Sequence, residues 1–311
     1  MAGDDVKTTP GPYGGADLAP LVRLATYASV ATALVLIVAK VVAYLLTDSV
    51  SLLSTLLDSL LDVAASLLNL LAVRTALTPA DREHRFGHGK AEPLAGLGQA
   101  TFITGSAIFL LFEAGQRFID PRPLHNTTVG IAVMVFSIVA TVALVAFQRH
   151  VIRRTGSVAI RADSLHYVGD VMVNGSVILA LVLTTQLGWP AIDATFGLGI
   201  AFYIVFTAWQ IARASLDMLM DRELPDADRR RIREIALAHP KVTALHDLRT
   251  RAAGPNVFVQ LHLEMDGRLS LFDAHAVADA VEVEVMQAFP GAEVIIHQDP
   301  AGIREERPQF G

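Results

Sequence analysis

Apolar positions fill six stretches in the first two thirds of the chain, at roughly 21–46, 50–77, 93–119, 126–150, 159–187 and 191–216. Each is long enough to cross a hydrocarbon core as a helix, which takes about 20 residues. Polar punctuation separates them. Leu45-Leu46-Thr47-Asp48 ends the first, and Gln148-Arg149-His150 with Arg153-Arg154 parts the fourth from the fifth. Gly188-Trp189-Pro190 breaks the fifth from the sixth and offers Trp189 as an interfacial anchor. Residues 1–20 are polar and rich in Gly and Pro, and read as a disordered tail rather than a cleavable signal peptide.

After Asp221 the period changes. Pro225-Asp226-Ala227-Asp228 opens a polar helix with Asp226 as candidate N-cap, and His239-Pro240 closes it. Val242 to Arg251 reads as a strand, Ala253-Gly254-Pro255-Asn256 as a turn, and Val257 to Glu264 as an alternating strand. Leu271 to Phe289 is an amphipathic helix ended by Pro290-Gly291, and Glu293 to Asp299 is a last strand. The expected fold is an α-helical membrane protein: six transmembrane helices, then a small cytoplasmic α+β domain of order α-β-β-α-β. The boundaries are a tail over 1–20, a membrane domain over 21–220, the small domain over 221–300 and a C-terminal tail over 301–311. A domain that small is marginal alone, so a second copy of the chain is its expected partner.

Composition agrees, with 52% hydrophobic residues, 18% charged residues and a mean hydropathy of +0.45. The net charge of −6 says little of partners when much of the chain sits in lipid, and nothing resembles a nucleic-acid-binding patch. Basic residues set the orientation. Arg74, Arg82, Arg85 and Lys90 follow the second span, and Arg149, Arg153, Arg154 and Arg161 follow the fourth. The alternate connections hold only Arg117 and Arg122. The positive-inside rule then puts both termini in the cytoplasm. Cysteine is absent, which argues against a soft Cu(I) site and leaves His, Asp and Glu as ligands.

Ionisable side chains are expensive in hydrocarbon, so those inside a span are candidates for function. Asp58 and Asp62 lie one helical turn apart in the second span, and His166 and Asp170 do the same in the fifth. Residues at i and i+4 share a helix face. Two facing helices thus offer three carboxylates and an imidazole, a set suited to Zn²⁺ or a similar divalent ion. Asp163 shares that stripe nearer the cytoplasmic end, as a helix-end residue rather than a ligand, and Lys40 is placed to snorkel to the outer interface. A second set, Asp81, His84 and His88, sits in the connection after the second span, where Gly87 and Gly89 permit a tight turn. A solvated loop with incidental histidines is the competing reading there. A third set, His246, His262, His275, His297 and Asp299, draws on all three strands and the last helix. Period-2 alternation puts His297 and Asp299 on one face, but convergence of the whole set is not visible in a sequence.

Several segments together resemble one family, the cation diffusion facilitators, closest to the bacterial YiiP-type zinc/ferrous-iron efflux transporters. They are Asp58-Ser59-Leu60-Leu61-Asp62, Asp81 and His84 through Glu92, Arg161-Ala162-Asp163-Ser164-Leu165-His166-Tyr167 with Asp170, His246 through Arg251, and Val294 through Pro300. The resemblance implies a transport site of Asp58, Asp62, His166 and Asp170 and a loop site of Asp81, His84 and His88. It also implies a binuclear cytoplasmic site of His246, His262, His275, His297 and Asp299, with Gln298 contributing, close to a homodimer interface. Lys90 and Asp221 match the family's interlocking salt bridge. Zn²⁺ would then be both cargo and structural ion. The homodimer would alternate between inward- and outward-facing states, sending metal out against inward protons.

The site chemistry is compatible with that cycle, because metal and protons compete for the same lone pairs. One His with three Asp favours Zn²⁺ and Cd²⁺ over Mn²⁺, while Fe²⁺ and Co²⁺ fit the same donors. No His-Glu-x-x-His motif or nucleotide-binding Gly-Lys loop occurs, so an enzyme is not expected. The alternatives are a passive divalent-cation channel and an intramembrane metalloenzyme.

Overall fold

The computed structural model describes residues 18–47, 50–119, 128–187 and 192–303. Of the expected tail over 1–20, residues 1–17 lie outside the described residues, as do the turn with Trp189 and the end of the chain from 304, while Ala19 and Pro20 already belong to the first helix. Six long helices come first: α1 (Ala19–Thr47), α2 (Val50–Ala76), α3 (Ala91–Ile119), α4 (Thr128–Thr155), α5 (Val158–Leu187) and α6 (Ile192–Leu219). α7 (Asp226–Ala238), β1 (Ala244–Ala253), β2 (Asn256–Met265), α8 (Leu271–Ala288) and β3 (Ala292–Pro300) follow. The chain divides into two compact units, with residues 19–216 in one and 217–311 in the other.

The helical unit is packed for lipid. Alanines such as Ala25, Ala33, Ala107, Ala159, Ala162 and Ala201 are essentially fully buried, while Leu45, Leu46, Leu71, Phe112, Phe202 and Trp209 stand more than half exposed. Lipid gives no reason to hide large apolar side chains, so contact faces go to small residues that let helices approach. Gly96 of α3 is one such approach, where a Cβ would collide with the buried Ser215 hydroxyl of α6. Five of the six helices are long and apolar enough to cross a membrane over their described residues. α5 packs against α3 and α4 in the same bundle.

The corner before α5 shows how its position is set. Gly156, with φ of 63°, ends α4 by donating its N–H to Ile152 O at 2.8 Å. Ser157 then starts α5, accepting the Ile160 N–H at 3.2 Å on its hydroxyl oxygen. That hydroxyl donates to Glu92 Oε1 at 2.6 Å, and the same carboxylate oxygen accepts the Ala159 N–H at 3.3 Å. A buried carboxylate from the first turn of α3 therefore caps the helix that carries His166 and Asp170.

The C-terminal unit is a three-stranded sheet of order β1-β2-β3, with β1–β2 antiparallel and β2–β3 parallel. A parallel neighbour needs a crossover, which α8 provides. Val257, Val259, Leu261 and Leu263 alternate along β2 towards the helices, where they meet Ile232 of α7 and Val277, Val281 and Val285 of α8. Ser270 caps α8, accepting the Asp273 N–H at 3.1 Å. The expectation that Asp226 caps α7 is corrected: Pro225 holds the cap position without a side-chain bond, and Asp226 is the first helical residue. Proline's fixed φ suits the start of a helix, and Asp226 still lends its charge to the positive end.

Leu263 is completely buried in this core. Leu263→Ala should lower the stability of the C-terminal unit by about 2–5 kcal/mol. The check is denaturant unfolding of the full chain followed by a probe placed in that unit, where an unchanged midpoint would contradict the packing described.

Candidate metal centres

In the membrane unit α2 and α5 bring an imidazole against carboxylates. His166 Nε2 lies 3.0 Å from Asp62 Oδ1 and 3.9 Å from Asp170 Oδ2. One donor atom from each of the three falls within 4.8 Å of the others. Asp58 occupies α2 one turn before Asp62, but its side chain lies outside the described residues. The spacing at i and i+4 on α5 sets His166 and Asp170 on one face, and the α2–α5 packing supplies Asp62 opposite.

Around this cluster the bundle is polar in places the sequence did not reveal. Asp163 is fully buried, accepting amide N–H groups from Gln99 of α3 at 3.1 Å and Gln148 of α4 at 2.7 Å. It is a hub for three helices rather than a helix-end residue. The Tyr167 hydroxyl bonds Ser66 of α2 at 2.8 Å and Ser29 O of α1 at 3.3 Å. Lys40 donates from Nζ to the buried Ser59 hydroxyl at 2.6 Å. The expected snorkelling is corrected by that bond, since a hydroxyl on the neighbouring helix satisfies the ammonium within the bundle.

The loop between α2 and α3 folds around one carboxylate. Asp81 Oδ1 accepts the N–H groups of Glu83 at 2.9 Å and His84 at 2.6 Å. Gly87, with φ of 75°, turns the chain and donates to His84 O at 2.9 Å. His84 Nδ1 then stands 3.4 Å from Asp81 Oδ1, and His88 Nε2 stands 3.5 Å from Oδ2. The two rings are 4.5 Å apart, and His88 Nδ1 is buried without a hydrogen bond. The His84 N–H above all, and then that of Glu83, hold the Asp81 carboxyl below the usual 3.8, so it stays ionised further into acid.

In the C-terminal unit sheet register does the gathering. His246, His262 and His297 are direct neighbours across β1, β2 and β3, and Glu264 lies beside Asp299 two residues on. Asp299 Oδ2 is 2.8 Å from His262 Nδ1 and 3.2 Å from His246 Nε2, while Oδ1 is 3.0 Å from His297 Nε2. His246 Nδ1 lies 3.0 Å from Glu264 Oε1, yet both of its buried ring nitrogens lack an aligned hydrogen bond. Lone pairs crowded together off the hydrogen-bonding axis suit a shared cation better than a shared proton. His246, His262 and Asp299 meet the same 4.8 Å criterion as the other two clusters.

Two side chains of this neighbourhood were missed from sequence. Glu264 was legible in principle, two residues after His262 on an alternating strand. Asp247, 3.8 Å from His262, was not, because a bulge after His246 turns it with φ of 47°. His275 and Gln298 lie apart from the cluster within one chain. His275 pairs with Asp279 on α8 at 3.4 Å, and Gln298 points to the opposite face of β3 from its neighbours. Lys90 and Asp221 belong to different units, and Asp221 is ion-paired within its own unit to Arg251 at 3.4 Å.

Six long helices with an imidazole–carboxylate cluster between two of them, followed by a histidine-bearing α+β unit, are the features of a membrane cation transporter. The family models match accordingly: the cation efflux transmembrane domain covers residues 26–220, and the cation efflux protein cytoplasmic domain covers residues 224–301. The chain belongs to the cation efflux, or cation diffusion facilitator, family and is a cation efflux transporter. It is 50% identical over 283 residues to the cation-efflux pump FieF of Salmonella choleraesuis (strain SC-B67), covering 91% of this chain and 94% of that one. FieF of Salmonella typhimurium (strain LT2) matches at the same identity and coverage. Over 28% of its length the chain also matches a solved structure of CzrB in its Zn form, at 36% identity, 99% coverage of that chain and a TM-score of 0.26.

The loop's pH response has a definite sign. A carboxyl with a lowered pKa stabilises the fold at pH above its unfolded value and ceases to as pH falls through the folded one. In chelator-treated protein, hydrogen-exchange protection of the His84 amide should persist from neutral pH down to the ordinary value of 3.8 and vanish only below it. Asp81→Ala should remove it at every pH.

Proposed function

We propose that the chain exports a divalent transition metal, Zn²⁺ first, in exchange for protons. The observation that carries this is the contact of His166 with Asp62 and Asp170 between α2 and α5. With Asp58 as fourth ligand, one nitrogen and three oxygens form a tetrahedral set that admits Cd²⁺, Fe²⁺ and Co²⁺ as well. Metal entering that set displaces the protons held on His166 and the carboxylates, and protons returning from the far side expel the metal. The proton gradient thereby drives the metal out.

The same reading assigns a cytoplasmic metal-binding dimerisation domain to 221–300 and a membrane domain to 21–220, with terminal tails at 1–20 and 301–311. Both termini lie in the cytoplasm of a chain at the inner membrane, which the basic connections after α2 and α4 support. His246, His262, His297 and Asp299 hold structural Zn²⁺ in a homodimer, with His275 and Gln298 completing a binuclear site close to the interface. Lys90 and Asp221 interlock the membrane halves. Asp81, His84 and His88 bind a regulatory ion, off the transport path.

In proteoliposomes Asp62→Ala should lower Zn²⁺ flux by about tenfold or more, since it deletes a ligand, and wild-type flux should collapse with the pH gradient. Flux in wild type that ignores the gradient would indicate a channel, and near-normal flux from Asp62→Ala would remove the transport-site assignment.

Replacing His246 and His262 together should lower the melting temperature measured in Zn²⁺ and weaken dimerisation, with flux reduced and still measurable. Complete loss of flux from an intact dimer would put those histidines on the transport route.

A further inference from the structure

A cleft of about 290 Å³ opens between the start of α1 and the end of α2, lined by Arg23, Thr26, Tyr27, Leu70, Val73 and Arg74. Helix direction brings the two arginines together, because α1 begins at the end of the bundle where α2 finishes. Val22 and Ala25 of α1 pack there against Val73 of α2. Both guanidinium-bearing residues are exposed, no carboxylate lines the cleft, and among the described residues neither arginine pairs with one. The Thr26 hydroxyl is already committed to Arg23 O at 2.8 Å, so the polar donors facing the cleft are the two guanidinium forks and the Tyr27 phenol.

The surroundings narrow the ligand. Nearby positions of α1 and α2 are exposed and apolar, with Leu24 beside Arg23 at 55% and, further along the helices, Leu34 at 49%, Leu67 at 43% and Leu71 at 62%. Tyr27, 54% exposed, stands where the charged end meets that apolar strip, the level at which amphipathic aromatic rings settle in a bilayer. Among the described residues the two arginines have no carboxylate partner. A molecule with a phosphate at one end and hydrocarbon at the other satisfies both parts of the surface at once.

We propose that the α1–α2 cleft is a binding site for the phosphodiester headgroup of an anionic phospholipid, with its acyl chains lying along α1 and α2. Each guanidinium presents a planar fork that matches two phosphate oxygens, which a lysine ammonium does not reproduce. The phenol of Tyr27 donates a further bond at the headgroup. This assignment stands on the membrane placement of α1 and α2 and on none of the metal sites, so it survives or fails independently of the transport mechanism.

Native mass spectrometry of the full chain, titrated with phosphatidylglycerol or phosphatidylcholine, tests it. Wild type should retain phosphatidylglycerol in preference. Arg23→Gln/Arg74→Gln should weaken that retention by about tenfold or more and weaken phosphatidylcholine retention less, because the choline ammonium already offsets the same phosphate. The control pair Arg153→Gln/Arg154→Gln, at the end of α4, should behave as wild type. Unchanged phosphatidylglycerol binding in the cleft variant overturns the proposal, as does an equal loss in the control, which would mean that basic charge acts without a site. Displacement of the lipid by millimolar inorganic phosphate would make this a free-anion site and overturn the lipid assignment. Should the Gln pair not fold, Arg23→Lys/Arg74→Lys keeps the charge and removes the forks. Retention weaker than wild type then supports the proposal, and equal retention overturns it.

Discussion

Ionisable groups inside a bilayer must find one another, and the contact between His166 of α5 and Asp62 of α2 is where the helical unit meets that demand. Neither side chain has a reason to lie within a span except the other and what they hold together. Asp170 adds a carboxylate to the same face of α5. The α2–α5 packing is thereby tied to the chemistry, because separating the helices would strand charges in a medium that does not solvate them. A cation relieves the repulsion among the carboxylates, and protons relieve it too, which is the physical basis of the proposed exchange.

The rest of the bundle holds α5 in place by polar contacts on its buried sides. Glu92 caps its first turn through Ser157, Gln99 and Gln148 clamp Asp163, and Ser29 and Ser66 hold the Tyr167 hydroxyl. These contacts come from α1, α2, α3 and α4, so every one of those helices is registered against the helix that carries His166 and Asp170. Between them, alanines permit close approach, and the large apolar side chains are left to the lipid. Glu92 also lies four residues after His88, so the loop cluster and the start of α5 share the first turn of α3. A change in how the loop is held has a short covalent and hydrogen-bonded route to the helix that carries His166.

The C-terminal unit solves a similar problem by register. Placing three histidines directly across three strands needs no special loop, only an antiparallel and a parallel pairing aligned at one position. Asp299 sits buried among them, bonded to His262 and within 3.2 Å of His246 and 3.0 Å of His297. The opposite face of the same strands carries the apolar alternation that binds α7 and α8. One period-2 pattern thus serves core and ligand face together.

The sequence by itself determined the element order, the α-β-β-α-β tail and the ends of the six long helices to within three residues, except that α4 runs five residues past the expected end, through Arg153 and Arg154, to Thr155. These follow from local periodicity, which needs no knowledge of what packs where. It also singled out Asp62, His166 and Asp170, because charge inside an apolar run is conspicuous without a structure. Gln99, Gln148 and Asp163 were not legible as a group, since a hydrogen bond between side chains 64 residues apart leaves no periodic trace. The inward bond of Lys40 to Ser59 was likewise hidden, because snorkelling and an interhelical bond have the same sequence signature. Asp247 joined the histidine cluster only through a backbone bulge, and Arg23 with Arg74 formed a cleft only once α1 lay beside α2. Tertiary structure decided these because convergence in space depends on which faces of distant elements meet, and only the packed bundle and sheet fix that.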